Sequence, residues 1–266
     1  MPENGGNMSK LHIFIDGTWL FNQCGSDRCL ANATDAPNRS FDLDFERLTA
    51  ALIAHAKTSG ADCSGPGDRY LVTSIFSLPD DFDDWPNRCQ GINTDNIERT
   101  KRAVHARNTF AQKALTAGFS SDGVLRPKIR EHIVRKLAAR EYQEKQVDTT
   151  VVALLVRSAF EYPDDIHVII TGDSDMLPAI RIAYPGYTHN VLVATTHPDE
   201  LKSANRQTAY DLIDFELKLP PYFLQDHACD IIAGNFPYKC VECGKVFATF
   251  DRLPKMARPR CSAHRR

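Results

Sequence analysis

Ile166–Ile180, IHVIITGDSDMLPAI, is the stretch whose reading decides the fold. Ile166, Val168, Ile169 and Ile170 form a near-continuous apolar run, the pattern of a central strand buried on both faces. Thr171 and Gly172 end that run. Asp173, Ser174 and Asp175 stand where a helix would begin, with Ser174 or Asp175 as its cap, and Pro178 suits the first helical turn. The spacing predicts strand, turn and helix, with two carboxylates just past the carboxyl end of a buried strand. Open α/β sheets bind their ligands there. A capping role alone for the two aspartates is the competing reading.

The same pattern recurs upstream. Leu11–Ile15, LHIFI, is a second apolar run, and it too ends in an aspartate and a glycine, Asp16-Gly17. Phe41–Lys57 carries apolar residues at helical spacing, Tyr70–Phe76 reads as a third strand, and 77–95 is a Pro/Asp/Asn-rich loop around Trp85. Residues 96–117 and Val147–Phe160 read as helices, Asn190–Ala194 and Tyr210–Phe215 as strands. The stretch Phe119–Leu137 is ambiguous, with extended pieces expected around VLRPKI and IVRKL. Strands alternating with helices predict a three-layer α/β domain with a mainly parallel sheet.

Asp148 begins the helix predicted from Val147. In the inferred topology it faces the same sheet edge as Asp16, Asp173 and Asp175. Four carboxylates crowded together as bare anions repel one another and lose hydration, which raises their pKa values or opens the site. A divalent cation resolves this. Oxygen ligands alone, with no His or Cys, point to Mg2+ or Mn2+, ions that serve phosphoryl chemistry.

FIDG at Phe14–Gly17, KQVD at Lys145–Asp148 and GDSDMLP at Gly172–Pro178, in that order, resemble the motifs of the NYN domain. This is a branch of the PIN-like, flap-endonuclease-related metal-dependent nucleases. The closing LKSANRQTAYDLIDF resembles the family's last helix and strand. The resemblance spans about residues 10–217. It implies that Asp16, Asp148, Asp173 and Asp175 are the catalytic residues and hold one or two Mg2+ or Mn2+ ions. It further implies that Lys145 contacts the substrate backbone and that the substrate is single-stranded or structured RNA. The chain departs from the family at Trp19, where the family usually has Asn, with Asn22 one turn on as a substitute. A second departure is Leu154, where the family often has another Asp. DGTW also opens an unrelated lipase family, but no G-x-S-x-G elbow follows.

Residues 99–145 hold twelve Lys/Arg against four acids and lead into this site, so a polyanionic strand fits across them. A solvated helix face is the alternative. Arg130, Arg135, Ser174 and Asn22 join Lys145 as expected substrate-binding residues.

The tail carries the second signal. Cys240-Val-Glu-Cys243 and Cys261-Ser-Ala-His264 are two metal half-sites, and three Cys with one His suit one structural Zn2+. Gly244 suits the knuckle turn. PYKCVECGKVF looks like the first half of a ββα zinc finger, but the paired His of that family are missing, so the expectation is a zinc ribbon or a short treble-like finger. His227 and Cys229 are weaker alternative ligands. Residues 236–266 carry eight Lys/Arg against two acids, which suits nucleic acid, or a protein partner, and the metal is expected to be this module's own source of stability.

Composition sets the frame. The chain has 266 residues, 42% hydrophobic and 25% charged, with a net charge of −2. That is globular composition with room for one large domain and an appendage. No apolar run reaches the length of a membrane span, and MPENGGNMSK lacks a signal-peptide core, so a cytoplasmic, non-membrane protein is expected. The expected division is 10–217 nuclease domain, 218–235 semi-rigid linker packed on it, and 236–266 zinc module. Two functions follow, a metal-dependent endoribonuclease and a catalytically weak RNA-binding adaptor on the same fold.

Overall fold

Alternation along the apolar strands decides how the layers assemble. The computed structural model describes residues 9–36, 38–139, 141, 142, 144, 146–183, 190–197, 211, 213 and 219–265. Six strands form the central sheet: β1 (Ser9–Asp16), β2 (Cys63–Ser74), β3 (Val124–Leu125), β4 (Ile166–Ile170), β5 (Val191–Thr195) and β6 (Tyr222–Phe223). Their order is β3-β2-β1-β4-β5-β6, and every neighbouring pair is parallel.

On one face Leu11, Ile13 and Ile15 of β1 and Ile166, Val168 and Ile170 of β4 meet α3 (Phe45–Thr58) and α5 (Thr94–Thr116). On the other, Phe14 and Ile169 meet Val151 and Leu155 of α7 (Gln146–Glu161) and Ile180 of α8 (Leu177–Ala183). A strand covered on both faces must be apolar throughout, which explains the runs LHIFI and IHVII. Each such side chain contributes about 1.5–3 kcal/mol on burial. The helices start at side-chain caps. Asp44 caps α3, and Asn93 with Asn96 forms a reciprocal capping box on α5.

The strand order has one functional consequence. The chain moves outward from β1 through β2 to β3, then returns to the other side of β1 for β4. The topological switch therefore lies between β1 and β4, and it opens a crevice beyond their carboxyl ends.

Four stretches differ from expectation. IVRKL is not extended but lies in α6 (Glu131–Ala138). Ile133, Val134 and Leu137 share one helical face there, and Glu131 pairs with Arg135 one turn on. The loop around Trp85 builds a small core of its own, in which Phe82, Trp85 and Ile92 pack on Ile97, Ile129 and Val134. In the stretch expected as strand Tyr210–Phe215, the two described residues, Asp211 and Ile213, are helical. The segment read as a linker supplies β6 and the short helix Ala228–Ile231. Leu219, Tyr222, Leu224, Ala228 and Ile231 are all buried in the main core.

The tail folds as an antiparallel hairpin, β7 (Phe236–Lys239) and β8 (Val246–Thr249). Gly244 takes φ +75°, a left-handed turn that glycine adopts without strain. This hairpin is not self-standing. Val246 is buried in the main core. Val246 donates its N–H to the Ala33 carbonyl at 2.9 Å, and its own carbonyl accepts from Asp35 N–H at 2.6 Å. Asp35 also accepts from the Ser262 amide and hydroxyl, at 3.1 and 2.9 Å.

Tyr222 tests the place of the supposed linker. Its side chain is fully buried, but its hydroxyl has no hydrogen-bond partner among the described residues. Tyr222→Ala should lower stability by about 3–5 kcal/mol in urea unfolding. Tyr222→Phe should leave it unchanged or raised, because it removes an unsatisfied buried group. A negligible effect of Tyr222→Ala would return the segment to linker status.

Candidate functional site

Parallel pairing of Ile15 with Ile170 sets the ends of β1 and β4 side by side. Asp16 is the last residue of β1 and caps α1 (Gly17–Gln23), accepting the Trp19 N–H at 2.9 Å. Past β4, the Thr171 hydroxyl accepts the Asp173 N–H at 3.1 Å, and Asp173 accepts the Asp175 N–H at 3.0 Å. The cap is therefore Asp173, not Ser174 or Asp175. Ser174 is half-buried and Asp175 is exposed. Trp19 locks the two strand ends together. A Cβ on Gly172 would lie 2.2 Å from the Trp19 indole nitrogen, so only glycine admits the ring there. Asp148 lies in the first turn of α7, whose leading amides, Gln146 N–H and Val147 N–H, are accepted by Glu144 at 2.7 and 3.0 Å.

The electrostatics tie these residues into one group. Asp16 is 5% exposed, and burial pushes its carboxyl from 3.8 up to about 6, with Asp148 and Asp173 adding to the rise. Asp148 is also raised, by burial first and then by Asp173, Glu144 and Asp175. Asp16, Asp148, Asp173 and Asp175 are thus brought together at the switch point, and Glu144 joins them. They do not converge fully. Among the described residues, no three of these carboxylates place ligand oxygens mutually within 4.8 Å. A hard divalent ion still fits this donor set, because Mg2+ is commonly held by one or two carboxylates and keeps several waters.

The other expected residues scatter. Lys145 lies outside the described residues. Asn22, exposed on α1, lines a cavity of about 400 Å3 beside the carboxylates. Arg130 and Arg135 border a different cleft of about 780 Å3, with Trp85, Lys128 and His132. Arg135 is engaged there by Glu131 and by the Gln90 carbonyl, both at 3.0 Å. The basic stretch is partly neutralised, since Lys101 pairs with Asp83 and Lys113 with Asp42. Leu154, 9% exposed, belongs to the core between α7 and the sheet.

Sequence reasoning counted Arg107 only as one charge in a run. The fold carries it inward to the acidic group. Its guanidinium lies 5.5 Å over the Phe21 ring, and desolvation lowers its pKa against the pull of Glu144, Tyr142 and Asp16. Its helical phase relative to Ala111 and Ala114, both buried on α5, is the signal that could have found it.

A second site lies in the tail. Cys240, Cys243, Cys261 and His264 bring their ligand atoms within 4.8 Å of one another, alone among the described residues. Cys243 and Cys261 sulfurs are 3.7 Å apart, as are the Cys240 sulfur and His264 Nδ1, while Cys261 lies 3.2 Å from that nitrogen. These separations exclude a disulfide. A tetrahedral ion bonded to thiolates at about 2.3 Å spaces its ligands about 3.8 Å apart, so the cluster could bind a metal such as zinc. Burial would raise the Cys240 thiol, but backbone hydrogen bonds from Cys261, Cys243 and Glu242 hold it down to about 6. His227 and Cys229 stand outside the cluster, His227 pairing with Asp230 and stacking on Tyr222.

No family model and no curated protein matches the chain. A solved protein of unknown function from Vibrio parahaemolyticus is similar at a TM-score of 0.44 and 13% identity, over 86% of this chain and 99% of that one. Among the described residues no helix is long and apolar enough to cross a membrane.

The raised Asp16 gives a pH prediction. A carboxyl whose folded pKa exceeds its unfolded value destabilises the fold when ionised. The effect is absent below about pH 4, grows through pH 4–6 and is complete above about pH 6. Asp16→Asn keeps the acceptor for Trp19 and removes the charge. In EDTA it should raise stability at pH 7 by up to about 3 kcal/mol and by little at pH 4. An equal gain at both pH values would mean that the charge is not the source of strain.

Proposed function

We propose that this chain is a metal-dependent endoribonuclease of the NYN type, cutting single-stranded RNA at the carboxyl edge of β1 and β4. The observation that carries the reading is that Asp16 and Asp148 are each disfavoured as anions, first by burial and then by neighbouring carboxylates, at a topological switch point. A structural role does not need several carboxylates held close enough to repel, whereas a divalent cation does.

In this reading Asp16 and Asp173 hold one or two Mg2+ or Mn2+ ions, and Asp148 and Asp175 act through bound water. Such an ion makes a bound water acidic enough to attack a phosphodiester and neutralises charge on the phosphate. The residues of the chain do the positioning. Asp173 is fixed by the Thr171 hydroxyl and its own turn, Asp16 by the α1 amide. In this reading Asp148 would take a proton from the attacking water. Attack in line with the 3′ oxygen leaves 5′-phosphate and 3′-hydroxyl ends. Lys145 would hold the strand by a phosphate.

We assign the tail cluster to one structural Zn2+, with nucleic acid as the partner of its basic surface or, failing that, a protein. A catalytically weak RNA-binding adaptor is the second reading. It is favoured by the incomplete convergence of the carboxylates and by Leu154 in the core.

Two experiments test these assignments. Purified protein should cut labelled single-stranded RNA with Mn2+ and not with EDTA, and Asp173→Asn should lose at least about 100-fold in rate. Mn2+ at about 100 times its Kd should stabilise the wild type by about 2.7 kcal/mol and the variant by less. Cleavage by Asp173→Asn at the wild-type rate, or no response to Mn2+, leaves the adaptor. For the tail, Cys240→Ser should abolish a zinc content near one per chain. Hydrogen exchange should then speed up at 236–264 and at Ala33–Asp35, which the hairpin covers. Unchanged exchange would contradict a structural metal.

A further inference from the structure

The cavity of about 400 Å3 beside the carboxylates is not used by the chemistry above. Its volume is within the range of small-ligand sites. Ile75, Phe76, Ala103, Val104 and Leu137 supply an apolar wall, and Tyr142 stands edge-on to Phe76 with ring centroids 5.4 Å apart. Polar groups line the side nearest the acidic residues. Thr18 directly follows Asp16-Gly17, and its hydroxyl is buried with no hydrogen-bond partner among the described residues. Asn22 lies one turn further along α1.

Arg107 also opens onto this cavity. It is held over the Phe21 ring and makes no hydrogen bond with a described residue. A guanidinium carries five donors and no acceptor, and those of Arg107 are open to an acceptor that enters the cavity, whose lining also includes Glu144. The space therefore suits a flat, π-faced group whose edge offers acceptor atoms to Arg107 and Thr18. In the ribonuclease reading that group is joined to a phosphate, which an ion on Asp16 and Asp173 would hold. A bare phosphate would leave the apolar wall unused. Bases of single strands stack on aromatic side chains and offer their edges to arginine in this manner.

We propose that this cavity receives one unpaired nucleobase of the bound strand, next to the phosphate held at the acidic group, with Arg107 and Thr18 reading its edge. The inference rests on the ribonuclease reading and adds a base subsite to it. A duplex cannot enter, because the base must leave its stack to reach the cavity.

Ala103 is exposed on α5 and lines the cavity, so Ala103→Phe fills the space without disturbing the core. The probe is a short single-stranded RNA with 4-thiouracil as its base, bound by the full chain with Ca2+ in place of Mn2+, so that the acidic group is loaded and cutting does not intervene. Photocrosslinking and mass spectrometry should place the crosslink on the peptides of Phe76 or Tyr142. Ala103→Phe should abolish that crosslink and weaken binding about tenfold, the effect of one lost stacked base. The variant's Mn2+-induced thermal shift should match wild type, showing a folded chain with its acidic group intact. Crosslinks elsewhere, or unchanged affinity in Ala103→Phe, overturn the base subsite even if RNA is cut. A crosslink at Phe76 or Tyr142 with no cleavage in Mn2+ keeps the subsite and overturns the ribonuclease reading. No binding of this RNA overturns both.

Discussion

Parallel pairing of β1 with β4 is the constraint on which the rest depends. Both strands are covered on both faces, so neither can slide without exposing isoleucines that fill two separate cores. Their register is thereby fixed, and with it the distance between Asp16 and the Thr171–Asp173 turn. Trp19 on Gly172 closes the same joint from above. Charges that repel are thus held by packing that has no alternative arrangement, which is how a fold can keep an electrostatically unfavourable group in place.

The unfavourable term is concentrated on Asp16. It is the most buried of the four aspartates and the one most shifted, and its hydrogen bond to Trp19 only partly offsets the desolvation. Asp175, by contrast, stays in solvent. An ion at this edge would therefore draw its strongest stabilisation from the β1 side, with the exposed carboxylates free to serve through water. Arg107 supplies positive charge to the same neighbourhood from α5, so the edge combines a cation-seeking half with an acceptor-seeking half. The proposed phosphate and its attached base would use these two halves together.

The parts of this arrangement legible in the sequence were those fixed by local pattern. IHVII and LHIFI predict buried parallel strands because both faces are apolar, and an aspartate follows each within three residues. The Cys/His spacing gives the tail cluster as directly. What stayed hidden depends on long-range packing. Tyr222 and Phe223 make a two-residue strand among prolines and aromatics, too short for any period to register. Ile133-Val134 carries two β-branched residues that argue for strand, and only the Glu131–Arg135 pair and the contact with Trp85's cluster turn it into helix. Arg130 and Arg107 read alike as basic residues, but α6 carries the one to a separate cleft and α5 carries the other to the acidic group. The tail, read as a free module, depends on Val246 entering the main core, a contact that no spacing announces.

The central claim is that the end of β1 and β4 is a divalent-cation site. Anomalous diffraction at the manganese edge, from crystals grown with Mn2+, tests it most directly. The account predicts a peak bonded to carboxylate oxygens of Asp16 and Asp173, completed by water. A map with no peak between those two residues, in crystals where both side chains are well ordered, would contradict it.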